Sequence, residues 1–325
     1  MGAFLTNYAP EIFYILCGLV CIDTAFRALK NEQAKIPTFL FWLLLGIIFA
    51  GGKWLPPVLT GALLVVMGII TVTGNLKMGK FDEASHELKQ AAAEKLGNKI
   101  FIPAITVGVM AFILAFVKYT DFIPDPATGE LIETTKSLNG AIMTGTGCVL
   151  ALIFAFIICK PSIKDTREDS ARLLMTVGAS ALLPQLLGAL QSIFTAAGVG
   201  DVISSIVSGV IPEGNIVAGV IVYCLGMVIF TMIMGNAFAA FSVITIGIGY
   251  PFLIAHGGNP AVIGALGMTC GYCGTLMTPM AANFNIVPCA VLETKDPRWA
   301  LIKTQAPVAL ILIVVHIILM LVLAF

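Results

Sequence analysis

Asparagine, serine and threonine side chains recur through an apolar stretch, Met234–Val291, that carries no formally charged residue. Their amide and hydroxyl groups can both donate and accept hydrogen bonds, which suits them to bind a small polar or anionic molecule away from water. The candidate substrate-binding residues of this stretch are Asn236, Ser242, Thr245, Gly274, Thr275, Thr278, Asn283 and Asn285.

Residues that end and begin helices interrupt the same stretch. Gly235 followed by Asn236 predicts that one helix ends and another begins, because glycine suits the position after a helix and asparagine suits an N-cap. Thr278 followed by Pro279 predicts an N-cap with proline at the first helical position. Interrupted helices survive in a bilayer where they are buried in protein or line a wet cavity, and half-helix N-termini attract anions. The alternative is a set of kinked packing helices, since glycine and proline are common in membrane helices.

Cys270 and Cys273 form a CxxC pair, which in other settings is a redox pair or half of a zinc site. No second CxxC and no histidine pair completes a metal site, so no metal is expected, and His316 in the last apolar run is interpreted as structural. The sequence shows no nucleophile–base set and no phosphate loop, so neither an enzyme nor a cofactor is predicted. An intramembrane redox protein that uses the two cysteines stays open as an alternative.

The composition indicates an all-α polytopic membrane protein. Hydrophobic residues make up 58% of the 325 residues and charged residues 11%, and the mean hydropathy is +0.99. The formal net charge is zero, so nucleic acid is not an expected partner. The lengths of the apolar runs predict about ten transmembrane helices, with re-entrant or broken helices in the C-terminal half.

Two domains are predicted from the order of apolar and charged segments. Residues 1–160 form an N-terminal transmembrane bundle with a cytoplasmic surface helix within 77–99, and residues 161–325 form a transport-type domain. The first span ends with Asp23 and Arg27, which are spaced to pair on one helix face. Basic loops on one side and an acidic loop, Asp121–Glu133, on the other place the surface helix in the cytoplasm and the acidic loop outside.

The second domain is predicted to hold a re-entrant hairpin over 173–211 and broken helices over 235–291. Leu173–Ala197 is the long arm of this hairpin, and Val202–Val210 is the short arm. The tip carries Gly198, Gly200 and Asp201, with Asp201 placed to cap the short arm. Two ordinary spans joined by a loop are the alternative.

Three segments carry a resemblance to a known superfamily: Val177–Asp201, Gly235–Val243 and Gly271–Pro288. They resemble the membrane-domain signatures of the ion transporter superfamily, and most closely those of a bacterial inner-membrane family associated with uptake of 5-oxoproline. The resemblance implies that the chain is the larger of two membrane subunits, with a smaller integral-membrane partner. Superfamily carriers hold two inverted halves in one chain, whereas only one hairpin with broken helices is evident here, as in a split carrier.

The substrate implied by this resemblance is a compact organic anion that also carries a lactam N–H and C=O. No lysine or arginine lies between Leu173 and Leu292, so no cationic side chain of that region can neutralise its carboxylate. Half-helix N-termini at Asn236 and Thr278, a co-bound Na⁺ or H⁺, or the partner subunit are the remaining means. An accessory subunit that only scaffolds a transporter is the other functional alternative.

Overall fold

The computed structural model describes residues 2–81, 86–124, 131–209, 214–292, 294–296 and 298–325. The chain divides into two units, which we call unit 1 (Met1–Met175) and unit 2 (Thr176–Phe325). This division falls later than the boundary predicted after residue 160. The reason is that helix Ile163–Val177 begins with charged residues that pair with the first long helix of unit 1.

Unit 1 is built from helices that follow the apolar runs of the sequence, together with one short β-hairpin. Its helices are α1 (Gly2–Asn7), α2 (Ala9–Ala28), α3 (Lys35–Gly51), α4 (Pro57–Val72), α5 (His86–Leu96), α6 (Phe101–Ala115), α7 (Gly140–Cys159) and α8 (Ile163–Val177). The structure describes the predicted surface helix from His86, and residues 82–85 lie outside the described part. The helix ends at Leu96 because Gly97, with φ of 50°, starts a 3₁₀ turn that leads into α6.

The segment predicted as an acidic loop is in part an antiparallel hairpin, which the sequence analysis missed. Strands β1 (Lys118–Pro124) and β2 (Leu131–Ser137) pair from Lys118↔Ser137 to Pro124↔Leu131, and residues 125–130 between them lie outside the described part. The Lys136 ammonium lies 2.9 Å from the Asp121 carboxylate and holds the pKa of that carboxyl below its ordinary value. Because this pair joins the two strands, it offsets part of the acidic charge that favoured a loop prediction.

Ion pairs join α2 to α8 near the C-terminal end of α2. Arg27 Nε lies 3.0 Å from Asp23 Oδ2, as the sequence predicted, and Arg27 also approaches the Glu168 carboxylate at 3.8 Å. Arg167 of α8 bonds the same Asp23 carboxylate, a contact that the sequence did not predict. The Asp23 carboxylate is therefore paired with two guanidinium groups, one from its own helix and one from α8.

Unit 2 contains a helical hairpin followed by interrupted helices around a buried core. Its helices are α9 (Leu183–Ala196), α10 (Val199–Ser208), α11 (Ile216–Met234), α12 (Ala237–Ile244), α13 (Pro260–Leu276), α14 (Val287–Val291) and α15 (Ala300–Leu323). Two π-helical segments, Thr245–Ile254 and Ala282–Ile286, follow α12 and precede α14. The core is formed mainly by apolar residues of α11, α12, α13 and α15. Within 235–291 the helices are thus interrupted at Gly235 and again between Leu276 and Ala282.

The hairpin of unit 2 differs in detail from its prediction. Residues Gly178–Leu182 form a 3₁₀ turn, so the predicted long arm is two helices, with Pro184 in the first turn of α9, where its missing N–H costs little. Gly198 turns the chain with φ of 66°, and α10 begins at Val199. Asp201 therefore lies inside the first turn of α10, and the prediction that it caps a helix starting at Val202 is wrong. The predicted end of the hairpin, residues 210 and 211, lies outside the described part.

Within the described residues, seven helices are long and apolar enough to cross a bilayer, judged by length and composition. They are Phe4–Ala28, Gln90–Ala115, Gly140–Cys159, Ile163–Ala196, Ile216–Met234, Ala237–Ile254 and Ala300–Leu323. Four shorter apolar helices are Lys35–Gly51, Pro57–Val72, Val199–Ser208 and Pro260–Leu276. The chain is thus a multi-pass, predominantly helical membrane protein, and the predicted fold class is confirmed.

Candidate functional site

The break between α11 and α12 is built as the sequence predicts. Gly235 adopts φ of 72°, and its N–H donates to Thr231 O at 2.7 Å, which closes the last turn of α11. A Cβ added to Gly235 would lie 2.5 Å from Met280 O, so glycine is required both by the backbone angle and by the close approach. The Asn236 side chain is the N-cap of α12, and its Oδ1 accepts from Phe238 N at 2.8 Å and from Ala239 N at 3.4 Å.

This cap changes what the start of α12 can offer to an anion. The Phe238 and Ala239 N–H groups already donate to Asn236 Oδ1, so they are not free for a ligand. The Asn236 Nδ2 group has no hydrogen-bond partner among the residues that the structure describes. A carboxylate at this break would therefore meet the side-chain amide of Asn236 as donor, with the positive end of the α12 dipole behind it.

The prediction that Thr278 caps a helix beginning at Pro279 is wrong. α13 ends at Leu276, and the next helical segment begins at Ala282. Thr278 Oγ1 accepts from Met280 N at 3.2 Å and donates to Met232 O at 2.8 Å. Thr278 and Pro279 therefore form a turn rather than a helix start, because the threonine hydroxyl bonds the nearby Met280 N–H and a carbonyl at the end of α11.

Asn285 joins the turn after α13 to the end of α13. Its side chain is buried, and Nδ2 donates to Thr275 O at 2.9 Å and to Thr278 O at 2.8 Å. The Thr275 hydroxyl donates to Tyr272 O at 2.6 Å. Three predicted site residues, Thr275, Thr278 and Asn285, are thus brought together. The buried Asn285 Oδ1 has no partner and is left as an acceptor.

Thr231 of α11 belongs to the same region, although the sequence analysis did not select it. A Cβ on Gly274 would lie 2.5 Å from Val228 O, and one on Gly271 would lie 3.3 Å from Thr231 Oγ1, so α13 packs directly on α11 here. Thr231 is fully buried and its hydroxyl has no partner. Five buried side-chain polar atoms lack a partner in the described part of the chain, and those of Thr231 and Asn285 are two of them. In the sequence, Thr231 could have been identified from its position one turn before the Gly235 break.

The other predicted residues are placed differently. The Ser242 hydroxyl donates to Ala239 O within α12 at 3.3 Å, and Thr245 Oγ1 shares a hydrogen bond of 2.9 Å with the Tyr223 hydroxyl. Both hydroxyls therefore already have hydrogen-bond partners within the protein. The Asn283 backbone lies in the second π-helical segment, but its side chain lies outside the described part.

The tip of the hairpin reaches the segment that follows Ser242. A Cβ on Gly200 would lie 3.4 Å from Val243 O, and one on Gly247 would lie 2.6 Å from Gly200 O. The hairpin tip therefore packs on the junction between α12 and the first π-helical segment. Gly198 and Asp201 flank this contact in sequence, and the Asp201 carboxylate lies 3.4 Å from where a Gly198 Cβ would be.

The two cysteines of the CxxC pair are buried and reduced. Cys270 Sγ donates to Cys224 O at 3.7 Å, and Cys273 Sγ donates to Thr269 O at 3.9 Å. Within the part of the chain that the structure describes, no group of three or more His, Cys, Asp or Glu residues could hold a metal ion. The thiols are therefore placed as small groups that fill the interface between α11 and α13.

Comparison with known proteins gives a family for this chain. A family model described as "Protein of unknown function (DUF979)" matches residues 11–325. The chain belongs to this family. The DUF979 match covers every residue of the break and of the turn after α13, so the site lies within the segment that defines the family. No curated protein and no solved structure matches the chain.

Proposed function

We propose that this chain is a membrane subunit of a secondary transporter that takes up a small organic anion across the bacterial inner membrane. The resemblance noted in the sequence favours 5-oxoproline as the anion and a second, smaller integral-membrane subunit as the partner. The observation that carries the proposal is the interrupted-helix region, in which Asn236 caps α12 and the buried oxygens of Thr231 and Asn285 have no partner. A buried polar atom without a partner costs about 1–3 kcal/mol, so a ligand that pairs with both recovers that cost.

The unpartnered groups suit the two ends of 5-oxoproline. The Thr231 hydroxyl and Asn236 Nδ2 are donors for its carboxylate, and Asn285 Oδ1 is an acceptor for its lactam N–H. Thr231 contacts α13 at Gly271, and Asn285 bonds α13 at Thr275. Gly271 and Thr275 are one turn apart on α13, about 6 Å along its axis, so Thr231 and Asn285 contact the same stretch of this helix.

The charge of the anion is met without a cationic side chain from this region. No lysine or arginine lies between Leu173 and Leu292, and the α12 dipole supplies only a partial positive charge. A co-bound cation, Na⁺ or H⁺, therefore accompanies the anion in this proposal. The electrochemical gradient of that cation also supplies the free energy that drives uptake.

A second subunit is needed in this proposal because the described part of unit 2 supplies one hairpin and one set of interrupted helices. The described residues of unit 2 hold one helical hairpin, α9 and α10, and one set of interrupted helices. Carriers of the superfamily that the sequence resembles use two such sets to bind one substrate from both sides. The smaller subunit supplies the second set.

The proposal is tested by uptake of labelled 5-oxoproline into proteoliposomes that contain this chain with the smaller subunit, under an imposed Na⁺ or H⁺ gradient. We expect gradient-driven uptake only when both subunits are present, and its loss with Asn285→Leu. Cys270→Ser and Cys273→Ser are the matched controls, and we expect them to retain uptake. Uptake by the smaller subunit alone would instead assign a scaffolding role to this chain, and loss of uptake in the cysteine variants would favour a redox role.

A further inference from the structure

His316 is a titratable residue inside unit 2 that the anion site does not use. It lies in the second half of α15, half-buried against α13. Its Nδ1 lies 2.7 Å from Leu312 O, and its Nε2 lies 2.9 Å from Thr269 Oγ1. An ionisable residue within a membrane-spanning helix is costly and marks a function more often than a structural role.

The contacts of His316 satisfy both charge states without movement of any heavy atom. In the neutral ring, Nδ1–H donates to Leu312 O, and Nε2 accepts from the Thr269 hydroxyl. In the protonated ring, Nε2–H donates to Thr269 Oγ1. The hydroxyl hydrogen then turns to Ala265 O at 2.9 Å or Leu266 O at 3.2 Å. A proton can therefore be gained or lost here without leaving an unpaired donor or acceptor.

The surroundings of His316 provide no counter-ion. The titratable groups of α11 and α13, which pack on α15, are Tyr223, Cys224, Cys270, Tyr272 and Cys273. All of them are neutral in their ordinary state. His256 precedes Asn259, whose N–H donates to Ala324 O just after α15. The His256 ring has its own contact, because its Nδ1 lies 3.1 Å from Pro251 O.

α15 itself also places no charged residue near His316. Lys303 is the only lysine, arginine, aspartate or glutamate of α15, and it pairs with Asp296 at 3.2 Å. It lies about 20 Å along the helix from His316. A positive charge on the imidazole therefore has no fixed negative partner in α11, α13 or α15.

We propose that His316 and Thr269 form a proton-binding site that couples H⁺ to the anion. This inference rests on the proposed function and selects H⁺ as the coupling ion. Thr269 and Thr275 lie on the same helix, about 9 Å apart along its axis. The imidazolium and the carboxylate carry opposite charges, so each favours binding of the other, and such couplings are typically about 5- to 150-fold. The anion raises proton occupancy, and the proton raises anion affinity.

Titration of the imidazole tests the proton site independently of transport. The ¹⁵N signals of labelled histidine are recorded on the purified chain between about pH 5 and about pH 8, the range in which histidine changes charge. A His86→Gln/His256→Gln background leaves His316 as the observed ring. We expect a neutral-to-imidazolium transition. Thr269→Val should change the Nε2 signal, because the ring loses its hydrogen-bond partner there, and Thr269→Ser should restore it. A ring that keeps one charge state throughout overturns the proposal.

Substrate affinity tests the coupling. In the two-subunit complex, we expect the affinity for 5-oxoproline to rise by about tenfold as the pH falls from about 8 to about 6, and we expect no such rise in His316→Gln. His256→Gln is the matched control, and it should behave as the unsubstituted chain does. The same pH dependence in His316→Gln overturns the coupling. If the complex does not bind the anion at all, the proposed function is wrong, while the histidine titration still decides the proton site.

Discussion

Substitution of Thr231 by valine should raise stability and lower anion affinity together. The side chain is fully buried and its hydroxyl is unpartnered, whereas valine has nearly the same shape without the hydroxyl. Removing an unsatisfied buried polar group recovers a desolvation cost of about 1–3 kcal/mol, so the substrate-free protein should unfold at a higher temperature. Loss of a hydrogen bond to a carboxylate costs about 1.5–3 kcal/mol, so the affinity for the anion should fall by about tenfold or more.

Opposite changes in the two quantities separate a ligand-binding role from a packing role. The assay is thermal unfolding of the purified complex with and without 5-oxoproline, together with equilibrium binding of the labelled anion. Thr24→Val is the matched control, because Thr24 is equally buried but its hydroxyl already donates to Val20 O at 2.9 Å. The control should lose about 1 kcal/mol of stability and keep its affinity. A Thr231→Val variant that is less stable and binds normally would refute the assignment of Thr231 to the site.

Three further predictions follow from other contacts. Asn285→Leu should lower both stability and anion affinity, because it removes the bonds to Thr275 O and Thr278 O as well as the free acceptor. Cys270→Ser should leave the anion affinity unchanged. Thermal unfolding and equilibrium binding of the two variants check these outcomes. In a cysteine-free background, an impermeant thiol reagent added outside cells should label Glu133→Cys and not Ala92→Cys, and the reverse pattern would invert the predicted topology. Because Lys136 lowers the pKa of Asp121, the contribution of this pair to hairpin stability is present above the ordinary carboxyl pKa of about 4 and is lost as the pH falls through the lower folded value. Amide exchange of β1 should show this loss in the unsubstituted chain, and it should be absent in Lys136→Met.

Local signals in the sequence predicted those features that depend on neighbouring residues. Pro57–Val72 and Ile216–Met234 each coincide with an apolar run of suitable length, and proline or asparagine stands at the start of each helix. Gly235 and Asn236 were predicted correctly because a left-handed glycine and an N-capping asparagine act within one turn of the backbone.

The features that were missed depend on residues far apart in the chain. Thr278 has the sequence of an N-cap, but its hydroxyl donates to Met232 O, 46 residues earlier, and that tertiary bond favours a turn. The β-hairpin was missed because its acidic charge suggested a loop, and the Lys136 partner of Asp121 lies on the opposite strand. Thr231 is an ordinary threonine in an apolar helix until packing against Gly271 and Gly274 buries it without a partner.

The first π-helical segment, Thr245–Ile254, makes unit 2 sensitive to a change in chain length. Gly247 packs against Gly200 of the hairpin, and Gly249 packs against the Tyr223 ring of α11, where an added Cβ would lie 2.9 Å from Cε2. A π-helix contains one more residue per turn of hydrogen bonding than an α-helix. Deleting a single residue within this segment would convert one π turn to an α turn, so the deletion would be absorbed locally and only residues inside the segment would change the face they present. One of the two glycines would then no longer face its neighbour, and a side chain would meet Gly200 or Tyr223 instead.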